Sequence, residues 1–365
     1  MTCRGAVLRA VLSAVLAAWT GSAVALAPDD GRGGGHDWVA ARIAEDLAER
    51  TAETSLPGIA TNVERLGQGG SAAHGAMVWL SLAGRVAVPA LEGALGRTDE
   101  RATFLALSLL GDLGSPESAP AIIELVRPHL ATGLFVKPGF LALAALEPGE
   151  PAILFALEQL DPTATALARR GALALLAAER DDRGAERARL LAAGGEAQIQ
   201  AAAIFYLARL GESDAAELAL QWIEAHPGER TDGQDLLRAA AELLPPVELE
   251  RRATHLVALA GLDLVEALRL SRFRLARGPE RSRLAVELLR ESEHPWDRRT
   301  AIRSLLDAGE HDLLAPFLNS EPAYVYPLSM VLGQSTVGRL AVAEAGRRGL
   351  RLTATDVGYR LRPPG

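Results

Sequence analysis

Histidines, acids, hydroxyls and arginines are the residues of this chain that could do chemistry. The seven histidines are His36, His74, His129, His226, His255, His294 and His311. No two stand four apart on one helix, the spacing that builds a metal-binding face. His36-Asp37 and His311-Asp312 are neighbours in sequence, and sequence neighbours do not face each other on a helix. The histidines therefore read as turn and cap residues, and no metal ligand set is expected. No Gly-x-Ser-x-Gly nucleophile elbow occurs, and Gly333-Gln334-Ser335-Thr336-Val337-Gly338 has the wrong spacing for one. The acids sit mostly at helix starts or on arginine-laced faces, as in Glu45-Asp46 with Glu49 and Glu248 with Glu250, which suits capping and solvated surface. No catalytic residue and no cofactor are expected.

Arginine is the remaining candidate. Arg269, Arg272, Arg274, Arg277, Arg281, Arg283, Arg290, Arg298 and Arg299 crowd one window with nearly as many acids, and the stretch from Arg339 onwards is more strongly basic. Paired surface charge accounts for most of this. Of the set, Arg269, Arg272, Arg298 and Arg299 are the residues offered here as partner contacts. Lysine occurs once, as Lys137, a bias read as composition rather than function.

These residues need elements to hold them. Ala and Leu carry most of the apolar content and both favour helix; aromatics are only 4%. The spacing of prolines organises the chain. Pro89, Pro120 and Pro151 recur at equal intervals, with Leu91, Ile122 and Ile153 in register behind them, then Leu95, Val126 and Leu157. Proline is tolerated in a first helical turn, where its missing N–H has no partner to lose. Each proline opens a short amphipathic helix. Before the second comes Phe104 to Leu110, apolar nearly all round, stopped at Gly111-Asp112-Leu113-Gly114-Ser115-Pro116. A helix apolar on every side needs cover from several neighbours, which stacked hairpins supply.

Leu109 to Ile122, with its Gly-Asp-Leu-Gly-Ser-Pro turn, resembles the short HEAT repeat, the type also found in phycobilisome lyases, and Arg85 to Leu91 resembles the start of its second helix. The resemblance covers about residues 71–160. It implies an all-α, α-solenoid fold running over 37–349. Later hairpins drift in length. Asp161-Pro162 reads as a cap before the helix Leu167–Ala178. Ala201–Leu210 and Ala215–Ala225 form a hairpin that is similar to a tetratricopeptide repeat as much as to HEAT, with Asp214 and Glu217 at capping-box spacing. Ala301–Leu306 and Leu313–Leu318 make another pair. Residues 350–365 have β character and read as a cap or loose tail; a lone strand there has no evident partner.

The N-terminus adds a compartment. Arg4 and Arg9, an apolar stretch from Val11 to Trp19, and Ala23-Val24-Ala25 have the layout of a secretory signal, cut after Ala25. The apolar stretch is shorter than a membrane span. Pro28 to Gly35 reads as a linker, and Val39, Ile43 and Leu47 as one stripe of a helix from Asp37 to about Thr54. The only cysteine, Cys3, lies inside the signal, so the exported chain would carry no disulfide, thiolate metal site or cysteine nucleophile. The full chain has net charge −8; removing Arg4 and Arg9 takes it to about −10, which disfavours nucleic-acid binding. The expectation is an exported, periplasmic or envelope protein that binds another protein on the concave face of a solenoid. The competing expectation is an α/α-toroid hydrolase or lyase acting on envelope polysaccharide, for which a closed ring with inward-facing acids would be the mark. A chromophore lyase is disfavoured by export without cysteine.

Overall fold

Runs of Ala and Leu between Gly and Pro breaks fold into paired helices along the whole described chain. The computed structural model describes residues 56–320 and 337–363, save 97–98, 114–115, 147–148, 293–294 and 356–357. The signal, the linker and the helix expected over 37–54 lie outside them. Among the described residues the protein is all-α apart from one β-hairpin. Seven helix pairs follow one another: α1 (Leu56–Arg65) with α2 (Gly70–Ala83), α3 (Val88–Glu92) with α4 (Glu100–Leu113), α5 (Ala119–Val126) with α6 (Val136–Leu146), α7 (Glu150–Glu158) with α8 (Ala166–Glu179), α9 (Ala185–Ala193) with α10 (Ala197–Leu210), α11 (Ala215–Ala225) with α12 (Arg230–Leu243), and α13 (Pro246–Ala260) with α14 (Leu264–Leu275). Then come α15 (Gly278–Glu291), α16 (Pro295–Asp307), α17 (Ala315–Ser320), α18 (Val337–Arg347), β1 (Arg351–Thr355) and β2 (Gly358–Arg362).

The even-numbered helices α2 to α14 pack each on the next and make one continuous row. The short helices opened by the periodic prolines form part of the other layer: Pro89, Pro120 and Pro151 stand in the first turns of α3, α5 and α7. The repeat length shows in the contacts, because Arg127 and Glu158, one repeat apart, pair at 3.1 Å. Both are half exposed, so this pair marks register more than it stabilises. The even row is the apolar one. Residues from Ala102 to Leu113 of α4 are almost all buried, as are Val136, Gly139, Phe140, Ala142, Leu143, Ala144 and Leu146 of α6. Small residues set its close spacing: a Cβ at Gly111 would stand 3.1 Å from the Ala142 backbone of the neighbouring helix.

The row does not stay straight. Neighbouring helix axes lie roughly 8–10 Å apart, so α4 and α12, four steps apart, would sit roughly 35 Å apart in a flat row. Yet α16 touches both. Its Asp297 pairs with Arg238 of α12, and two residues on its Arg299 pairs with Asp112 of α4 at 3.6 Å. Arg299 also donates to the carbonyl of Ala145 in α6 at 3.4 Å, and α18 packs against α4. The row has therefore curled round until the C-terminal helices fill part of its inside. The pairs after residue 160 continue the same row through α14; only then does the chain turn inward.

Local details differ from expectation in three places. The cap of α8 is Thr165, whose hydroxyl accepts from the Ala168 amide at 3.3 Å; Asp161 instead holds the preceding turn through Thr163. Asp214 has helical backbone angles and makes no side-chain cap, so the capping-box spacing there is unused; Glu217 pairs with Arg252 of α13. The C-terminal segment supplies both strands of its own hairpin, Arg351 opposite Arg362 and Thr355 opposite Gly358, with Leu361 buried among α15 to α18. It is a cap.

Candidate functional site

The inside of the curled row has two zones. Towards the C-terminal ends of α4 and α6 and the middle of α12 it is packed with charge. Arg299 and Glu344 pair at 3.4 Å with side chains 9% and 2% exposed, and Glu344 also takes Arg303 at 3.0 Å and Arg348 at 3.4 Å. Arg238 meets Asp297 and, at 3.4 Å, Glu266. The Ser292 hydroxyl lies 2.9 Å from Glu266 and 3.2 Å from Asp297. Every acid named here is matched by a guanidinium, which makes this zone a set of struts holding the curl closed.

The second zone is open. The N-terminal parts of α6, α8, α10 and α12 leave a pocket of about 420 Å³. Its space exists because Gly171, Ala174, Ala201 and Ala202 carry little or no side chain where the helices face one another. Leu167, Phe205 and Leu236 make apolar walls, and Leu141 is 46% exposed at the edge. Phe140 lies behind, buried, in the space that Gly171 leaves: a Cβ at 171 would stand 2.4 Å from its ring.

Charge of both signs lines this pocket: Lys137 on α6 and Arg170 on α8, Asp232 and Asp235 on α12. Arg170 donates to Gln198 at 2.7 Å and to Asp232 at 3.0 Å. Lys137 is exposed and makes no ion pair with any described residue. The Asp232 carboxyl is pushed above its ordinary value. Burial is the main cause; Asp235 and Glu229 push the same way, and Arg170 and Lys137 pull it partly back.

Of the arginines singled out by sequence, Arg269 is held by Glu287 and Glu291 at 3.3 and 3.4 Å. Arg298 donates to the Ser292 carbonyl at 2.6 Å, and Arg299 is buried in the strut zone. Arg272 is exposed and makes no ion pair with any described residue. The four do not converge on one surface. His226 stacks on Trp222 at 4.5 Å and His129 packs edge-on against Phe135, both packing roles. Among the described residues no cluster of His, Cys, Asp or Glu could hold a metal ion, and no helix is long and apolar enough to cross a membrane. Sequence reasoning passed over Lys137, Asp232 and Asp235. The one signal available was the single lysine of an arginine-rich chain, with two acids three apart on a later helix.

Fold and site together define an all-α protein of repeat-like helix pairs, curled on itself, with a charged-rimmed apolar pocket in its inner row. No protein-family model matches the chain, and no curated protein matches it in sequence.

Proposed function

We propose that this chain is an exported α-solenoid of the short HEAT type that works by binding, as a partner-holding or scaffolding module of a bacterial envelope. The carrying observation is the division of its inner row: the acids of the strut zone are committed to arginines, while a largely apolar pocket stays open between the N-terminal parts of α6, α8, α10 and α12. Successive inner helices each lend a few side chains to such a surface, and that suits an extended partner segment. The signal-like N-terminus supports export. A partner protein bound there should co-elute in stoichiometric amount when the chain from Leu26 is used to capture from its native envelope fraction at moderate salt. Leu141→Asp, at an exposed position, should lose the partner while the protein stays folded. Retention of glycan fragments in place of any protein would move the reading to catalysis.

One observation favours that second reading, a hydrolase or lyase acting on envelope polysaccharide. The row is curled with Asp232 and Asp235 on its inner face, and burial lifts the Asp232 carboxyl above its ordinary value, the direction that suits a general acid. Against it, Asp232 is tied to Arg170 at 3.0 Å, which favours the ionised form.

A further inference from the structure

We propose that the pocket between α6, α8, α10 and α12 binds an apolar zwitterion of the α-amino-acid type: a free apolar amino acid, or a short apolar peptide with both ends charged. The inference stands apart from the identity of any protein partner.

Three features of the pocket carry it. First, its size falls in the range of small-ligand sites, roughly 300–1,000 Å³, at about 420 Å³. Second, its body is apolar. The floor is glycine and alanine and the walls are Leu167, Phe205 and Leu236, so an aliphatic or aromatic side chain would replace water there favourably. Third, its rim carries charge of both signs. Arg170 of α8 and Asp232 of α12 are paired with each other at 3.0 Å, and beyond that pair the rim has a cation, Lys137 of α6, and a carboxylate, Asp235 of α12. A purely anionic ligand would meet the two aspartates, and a purely cationic one would meet Lys137 and Arg170. A ligand bearing both charges meets both, its carboxylate towards Lys137 and its ammonium towards Asp235. Lys137 is suited to this role. Its ammonium is exposed and makes no ion pair with any described residue, so it gives up no existing partner.

The order of positions along the helices agrees. Lys137, Thr231 and Asp232 stand in the first turns of α6 and α12, and Phe205 stands deeper along α10. The charged head would lie at the mouth and the side chain would point inward.

Calorimetric titration of the chain from Leu26 tests this with leucine, phenylalanine and the Leu-Phe dipeptide, each beside its N-acetyl and its C-amide form. The expected result is saturable binding of at least one uncapped compound, with either cap weakening it at least about tenfold, because each cap removes one of the two charges that the rim would meet. Preference for the free amino acids or for the dipeptide identifies the source of the ligand. Lys137→Met should erase the discrimination between acid and amide while keeping that between amine and N-acetyl; Asp235→Asn should do the converse. Failure of every uncapped compound to bind at millimolar concentration overturns the proposal. So does binding of capped and uncapped forms with equal affinity. Either failure would leave the protein-capture result above unaffected.

Discussion

Arg238→Ala should lower the stability of the protein by about 3–5 kcal/mol, since removing one member of a buried ion pair strands the other charge in the interior. Arg238 is 6% exposed and Asp297 5% exposed, and they join α12 to α16 across the inside of the curl. Glu266 and Ser292 complete the group, so loss of the guanidinium leaves two carboxylates facing each other with a single hydroxyl between them. Chemical denaturation monitored by circular dichroism reads the effect. The double variant Arg238→Met with Asp297→Leu should recover much of the loss, because replacing both partners by apolar groups removes the stranded charge. A single variant as stable as the parent would mean that the pair does not form.

Phe140→Ala should cost a similar amount, about 3–5 kcal/mol, through lost burial and the cavity left behind. The ring is 1% exposed and stacks on Phe155 with centroids 5.4 Å apart and planes 11° from parallel. It links α6 to α7 and fills the gap that Gly171 provides on α8, where three of its carbons would lie within 3.0 Å of an added Cβ. Gly171→Ala should therefore also destabilise, by about 1–3 kcal/mol of overpacking. Since both changes act on one contact they should not add: an alanine at 171 could occupy part of the space vacated in Phe140→Ala, and the double variant should be more stable than the sum of the singles. Strict additivity would show that the ring does not rest against residue 171.

What could be read from sequence, and what could not, follows from the range of the forces involved. The helix pairs were legible because their causes are local. Proline in a first turn, an apolar run and a glycine-bearing stop all lie within a few residues of one another, and α3, α5, α7 and α11 form where those signals place them. Caps were less legible. Asp161 and Asp214 have the right residue type, but Thr165 is placed to accept from Ala168 and Asp214 is already inside helical geometry. The curl left no local mark. It shows in pairs such as Asp112 with Arg299, far apart in sequence and joined only once the row has bent. The same holds for the pocket. Lys137, Arg170 and Asp232 sit on three different repeats, each an ordinary surface residue in its own helix. Arg299 illustrates the reverse: a residue offered as a surface contact is a buried strut, because its exposure depends on where α16 comes to rest.

The curl is the claim on which the strut zone and the bounded pocket both depend, and a double-mutant cycle between Asp112 and Arg299 tests it most directly. Stability would be measured for Asp112→Asn, Arg299→Met and the pair together. Residues this far apart in sequence couple only if the chain brings them into contact. The account predicts a coupling energy between about 0.5 and 3 kcal/mol, with the double variant less damaged than the two single losses combined. Additivity within about 0.3–0.5 kcal/mol would mean that α16 does not lie against α4, and that the row of helices stays open.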